Sequence, residues 1–157
     1  MIVKNDQHHA YDIEYSHIMS EIITPVVIYS SRAVPDGRCF KANAAWDTGA
    51  THSVITPEIV KELGLISIDK KVVGGIGQEI ESDVVVGTII LPNETVLTES
   101  RFLVNTIPGA DVIIGMDIIS MGDFNISNAK GKTLFSFVIP PYKNKISYPQ
   151  LISSKNN

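Results

Sequence analysis

The chain lacks a second cysteine, a membrane-length apolar run, an excess of basic charge and any internal repeat. Each absence removes a class of protein. Cys39 stands alone among 157 residues, so no internal disulfide can form and no zinc-type spacing exists; the residue reads as a small buried hydrophobe. No uninterrupted apolar stretch approaches the roughly 18 residues that a membrane span needs, and Met1-Ile2-Val3-Lys4-Asn5-Asp6 holds no apolar signal core. A soluble, cytoplasmic domain without membrane contact is the expectation, and in that setting the sequons Asn93-Glu94-Thr95 and Asn125-Ile126-Ser127 are chance. Lys and Arg number 13 against 17 Asp and Glu, a net charge of −4. Scattered basic residues give no face for a phosphate backbone, which argues against nucleic acid and leaves polypeptide open as a partner. His8, His9 and His17 have no metal-ligand pattern about them, and neither a metal nor a cofactor is expected.

What is present suits one compact domain: 44% hydrophobic and 19% charged residues, enough for one ordinary core and too few for two. Most of the chain reads as β. Residues 22–31 are rich in β-branched side chains, with Pro25 confining them to an edge or a strand start, and Pro35-Asp36-Gly37 is a turn. Residues 40–46 lead into a loop at Asp47, and Ser53-Val54-Ile55 leads out. Thr56-Pro57-Glu58 supplies an N-cap, a proline at the first helical position and an early acid, while Gly64 stands where a left-handed cap belongs. That pattern predicts a short helix, Pro57–Leu63, burying Ile59, Val60 and Leu63. Residues 80–90 and 95–104 predict two long strands joined around Leu91-Pro92-Asn93-Glu94, and residues 133–138 a last strand after a turn at 128–132. The polar tail from Pro140, with Asn144, Ser147, Ser153, Ser154 and Asn156, reads as a poorly ordered end. The expected division is an N-terminal segment of unassigned role at 1–21, a domain at 22–139 and the tail at 140–157.

Three elements stand out. Asp47-Thr48-Gly49-Ala50, entered from Ala44-Ala45-Trp46, occurs once; alone it is weak, since about one chain of this length in thirty holds Asp-Thr-Gly by chance. Val72-Val73-Gly74-Gly75-Ile76-Gly77-Gln78 reads as two β segments around a glycine-rich tip, which by itself is an ordinary hairpin turn. A phosphate loop is disfavoured, because no third spaced glycine or lysine follows and the chain continues through Glu81-Ser82-Asp83 into β-rich sequence. Asp111-Val112-Ile113-Ile114-Gly115 leads into the short segment 116–122, and by itself is a core strand ending at a helix.

In that order and at those separations, the three elements resemble the retropepsin family, the single-domain aspartic proteases of retroviral type, over residues 22–138. The resemblance implies an all-β fold, a closed or partly closed barrel with short helices, whose active site lies at a homodimer interface. It implies an endopeptidase acting on polypeptide, with Asp47 of each subunit catalytic. Peptide hydrolysis needs one group to take a proton from water while another gives one to the carbonyl oxygen, and two close carboxylates sharing one proton do both. Thr48 would lock the two loops together by its hydroxyl, and Gly49 would let backbone approach the carboxylates. Gly74, Gly75, Ile76 and Gly77 would form the flap that closes on substrate, with the Ile76 N–H holding substrate carbonyls. Ala50, Thr51, His52, Val73, Ile76 and Ile113 would complete the substrate site. Apolar walls there favour cleavage beside hydrophobic residues.

Two departures from the viral pattern matter. Viral enzymes usually pair an acid after Asp-Thr-Gly-Ala with an arginine after Ile-Ile-Gly, whereas Thr51-His52 and Met116 occupy those places. Losing one partner would strand a buried charge; losing both together can be near neutral. His52 reads first as a loop residue, and second as a tuner of substrate choice or pH response. Viral chains also end soon after the following helix and interleave their termini, whereas this one continues, so its interface sheet must be built differently. Such extensions place it beside cellular and bacterial retropepsin-like proteins. The alternative function is a non-catalytic dimerisation or peptide-binding module with the cleft retained.

Overall fold

The computed structural model describes residues 8–30, 38–75, 78–143 and 146–153. The strands are β1 (His9–Glu14), β2 (Ile23–Tyr29), β3 (Cys39–Trp46), β4 (Val54–Ile55), β5 (Ser67–Gly75), β6 (Gln78–Ile90), β7 (Val96–Val104), β8 (Val112–Ile114), β9 (Asp123–Ser127) and β10 (Leu134–Ile139). Short helices are α1 (Pro57–Leu63), α2 (Met116–Ile119) and α3 (Tyr148–Ser153). The all-β expectation holds. Seven strands form one sheet in the order β2-β3-β8-β4-β7-β6-β5, and a further pairing of β2 with β6 closes it on itself.

Pro25 shows how local chemistry shapes that closure. Strand β2 pairs with β3 along its whole length but with β6 only through Val27, Ile28 and Tyr29. Pro25 therefore lies where one side of β2 is unpaired, the place for a residue with no N–H to donate. Helix α1 has the predicted bounds; Gly64 adopts the left-handed conformation, φ 64°, as a helix-ending glycine does. Ile59 and Leu63 are buried and Val60 is half-buried, but the Thr56 side chain makes no capping hydrogen bond. The long hairpin of β6 and β7 falls where predicted, with a register shift between Gly87 and Ile89. The turn at Pro35-Asp36-Gly37 lies outside the described residues. Cys39 is exposed at the start of β3, correcting its reading as a buried small residue.

The remaining strands make a second sheet, β1-β10-β9. Residues 9–14, part of the segment left unassigned from sequence, pair antiparallel with β10 from His9 opposite Ile139 to Glu14 opposite Leu134. Alternation along β10 buries Phe135, Phe137 and Ile139, and their rings close on Trp46 at the end of β3: centroids lie 5.0 Å apart for Trp46 and Phe135, 4.8 Å for Trp46 and Phe137, and 5.8 Å for Trp46 and Phe124. Burying each such ring contributes about 1.5–3 kcal/mol. Trp46 also satisfies its one donor, giving Nε1–H to Thr24 Oγ1 at 3.0 Å. An aromatic platform thus sits directly beneath the residue that precedes Asp47. At the other end, described residues of the tail include α3, where Tyr148, Leu151 and Ile152 are exposed. Among the described residues no helix is long and apolar enough to cross a membrane.

Candidate active site

Strand β3 delivers Asp47 and β8 fixes where it stops. The two strands run parallel, with Ala45 opposite Ile113 and Trp46 opposite Ile114, and the Asp47 N–H donates to the Ile114 carbonyl at 3.0 Å. The chain then turns on itself. The Ala50 N–H reaches the Asp47 carbonyl at 3.2 Å, and the Gly49 N–H donates to Asp47 Oδ1 at 2.8 Å. A β-carbon on Gly49 would stand 3.1 Å from that same oxygen, so glycine gives the carboxylate room as well as a donor. Asp47, Thr48 and Gly49 are exposed and Ala50 is half-buried. No cation pairs with Asp47 among the described residues.

The far side of the loop is tied to α2. The Met116 N–H donates to the Ala50 carbonyl at 2.8 Å. Gly115 lies so close to the loop that a β-carbon would meet the His52 carbonyl carbon at 2.7 Å and the Ala50 oxygen at 2.9 Å, both backbone atoms that cannot swing aside. Buried Ser53 is the hub: its N–H and Oγ–H donate to the two oxygens of Asp117, at 2.9 and 2.7 Å, while its Oγ accepts the Gly115 N–H at 3.1 Å. Ser53 and Asp117 were missed in the sequence. They lie just beyond Thr51-His52 and Met116, so a hydroxyl, a backbone N–H and a carboxylate hold these two segments together.

A cavity of about 370 Å³ opens between this loop and strand β5. It brings together Gly49, Ala50, Thr51 and His52 with Val73 and Gly74, all named from the sequence, and adds Val54, Lys71, Val72 and Leu103. Ile113 is not among its walls; it is half-buried between Ala45 and Val54 in neighbouring strands. Gly75 ends β5, and Ile76 and Gly77, the expected flap tip, lie outside the described residues. Lys71 was missed as well: its Nζ stands 2.6 Å from His52 Nε2. A larger hollow of about 640 Å³ lies between the outer face of the second sheet and Tyr142, Ile146 and Tyr148. Asp12 and Asp123 line it, and no residue of the Asp47 loop does, whereas Gly49 and Ala50 of that loop line the smaller cavity. Among the described residues no three His, Cys, Asp or Glu side chains converge as metal ligands.

Comparison with known proteins agrees with this geometry. The sequence pattern described as "Aspartyl protease" matches residues 36–118, more than half of the chain. A search of curated protein sequences found no match. Among solved structures, the chain is similar to the EIAV protease complexed with the inhibitor HBY-793, at 27% identity over 68% of this chain and 90% of that one, with a TM-score of 0.49. It is similar in fold to a retropepsin-like aspartic protease from Rickettsia conorii, at 13% identity over 85% of this chain and 96% of that one, TM-score 0.51. A third likeness, to the retroviral protease-like domain of Ddi1 from Leishmania major, has 16% identity, covers 75% of this chain and 95% of that one, and has a TM-score of 0.48. The Asp-Thr-Gly loop seated on β3 and β8 lies within the matched residues, and the chain belongs to the aspartyl protease family, with a fold similar to that of the retropepsin-like protease.

Proposed function

We propose that the protein is an aspartic endopeptidase whose working form is a homodimer, with the two Asp47 carboxylates meeting on the two-fold axis. The observation that carries this reading is the state of Asp47 in one chain: an exposed carboxylate on a loop locked by backbone hydrogen bonds, with one oxygen held by Gly49 and no counter-charge among the described residues. A single carboxylate cannot act as base and acid in the same step. A second copy supplies the missing one, and an interface closed by a two-fold axis brings identical loops together.

In this mechanism the pair shares one proton, because like charges about 3 Å apart cannot both ionise. The ionised Asp47 takes a proton from water as the water oxygen attacks the scissile carbonyl carbon. The protonated Asp47 gives its proton to the carbonyl oxygen, producing a tetrahedral diol. The newly protonated Asp47 then gives its proton to the amide nitrogen while the other carboxylate takes one from a diol hydroxyl, which breaks the C–N bond, leaves a carboxylic acid and an amine, and restores the shared proton. Thr48, exposed beside Asp47, would meet its counterpart and brace the two loops. Val54, Val73 and Leu103 give the cavity apolar walls, which supports cleavage beside hydrophobic residues.

The test is peptide-library cleavage by the wild type and by Asp47→Ala and Asp47→Asn proteins confirmed as dimers. Cleavage by wild type alone is the expected result. Equal cleavage by all three would overturn the mechanism, and cleavage by none would leave the fold serving as a peptide-binding module.

A further inference from the structure

The cleft side of the flap hairpin is not wholly apolar. Strands β5 and β6 pair with Lys70 opposite Asp83, Lys71 opposite Ser82 and Val72 opposite Glu81. Alternation sends Lys70 and Lys71 to opposite faces. On its face Lys70 is compensated: Nζ lies 3.0 Å from Glu81 Oε2, and that hydrogen bond, then the charges of Glu81 and Asp83, hold its ammonium above the ordinary lysine range. Lys71 has no carboxylate within ion-pair distance among the described residues. It faces the cavity beside the Asp47 loop instead, with Nζ 2.6 Å from His52 Nε2.

The chemistry of that pair is one-directional. An ammonium only donates, so the imidazole accepts through Nε2 and one of three N–H groups is used. Two donors and the full positive charge remain for an incoming group. The hydrogen bond to His52 fixes an otherwise flexible side chain before substrate arrives, which lowers the entropic cost of the next contact. Val54, Val73 and Leu103 line the same cavity and strengthen a charge contact by excluding water. A carboxylate satisfies such a cation better than a neutral carbonyl does. The net charge of −4 acts in the opposite sense, but it is screened beyond about 8 Å at physiological ionic strength.

We propose that Lys71, positioned by His52, is a specificity residue that selects peptides bearing an Asp or Glu side chain at one position near the scissile bond. This deepens the endopeptidase reading and rests on it, since the cleft is the same. The site then combines apolar walls with one acidic-residue subsite, a narrower substrate class than hydrophobic peptides alone.

Two decapeptide pools, alike except that every Glu of one is Gln in the other, test the idea. Retention on immobilised Asp47→Asn protein is read by mass spectrometry, and cleavage by the wild type is read in parallel. The expected result is a Glu-over-Gln preference of about three- to tenfold at one position, weakened in high salt. Lys71→Met brings the ratio to about one, and Lys71→Glu turns the preference toward peptides with Lys at that position. No retention of either pool, or a Glu/Gln ratio that the Lys71 substitutions leave unmoved, would overturn the proposal. Charge-dependent retention without cleavage by the wild type would sink the endopeptidase reading alone and leave the acidic subsite standing.

Discussion

At the residue scale Ser53 and Asp117 tie the loop after Asp47 to α2, and the choice of groups has a physical logic. A charge pair taken out of water carries a large desolvation cost that only good geometry offsets, whereas here a hydroxyl and a backbone N–H meet one carboxylate at 2.7 and 2.9 Å. Ser53→Ala leaves the buried Gly115 N–H without its acceptor and should cost about 1–3 kcal/mol in urea denaturation. A loss within ~0.5 kcal/mol, the range of neutral surface changes, would mean the hub is not structural. Gly115→Ala should be worse tolerated than its small size suggests, because the new methyl meets backbone atoms under 3 Å away; loss of peptide cleavage together with a lowered Tm is the expected outcome. Neither Ser53–Asp117 nor His52–Lys71 was legible in the sequence. The members stand 64 and 19 residues apart; His52 stood out beside the Asp47 motif, but Ser53, Asp117 and Lys71 are ordinary polar residues until the sheet brings each to its partner.

Elements were legible where they carry their own punctuation. Pro57 and Gly64 bracket α1 to the residue, and the β6–β7 hairpin follows from two long β-rich runs around a proline-containing turn. The second sheet was not legible, because His9–Glu14 has neither turn signals nor a clean apolar alternation, and its partner β10 lies near the opposite end of the chain. Trp46 links the two sheets, with Phe135 and Phe137 within 5.0 Å of its ring and Asp47 next in sequence. Trp46→Ala should therefore cost about 3–5 kcal/mol, and a variant stable enough to study should lose cleavage as well, since the aromatic platform under the loop is gone. Removing residues 1–14 exposes the free edge of β10 and part of its aromatic face; a lowered Tm and a tendency to aggregate are expected. An unchanged Tm would show that β1 contributes little to the fold.

At the scale of the molecule, the proposed mechanism makes one chain half of an active site. If activity belongs to the dimer, cleavage per chain should fall on dilution below the dimer dissociation constant, by mass action. A metal chelator should leave the rate unchanged. The most direct measurement mixes wild type with Asp47→Asn protein, equilibrates the chains and reads cleavage against composition. If each site needs an Asp47 from both subunits, activity follows the square of the wild-type fraction, so that an equal mixture retains about one quarter of the activity of the same total protein, as random pairing in a two-fold dimer requires. A linear dependence, with about half the activity retained, would show that each chain works alone and would contradict the shared-carboxylate account.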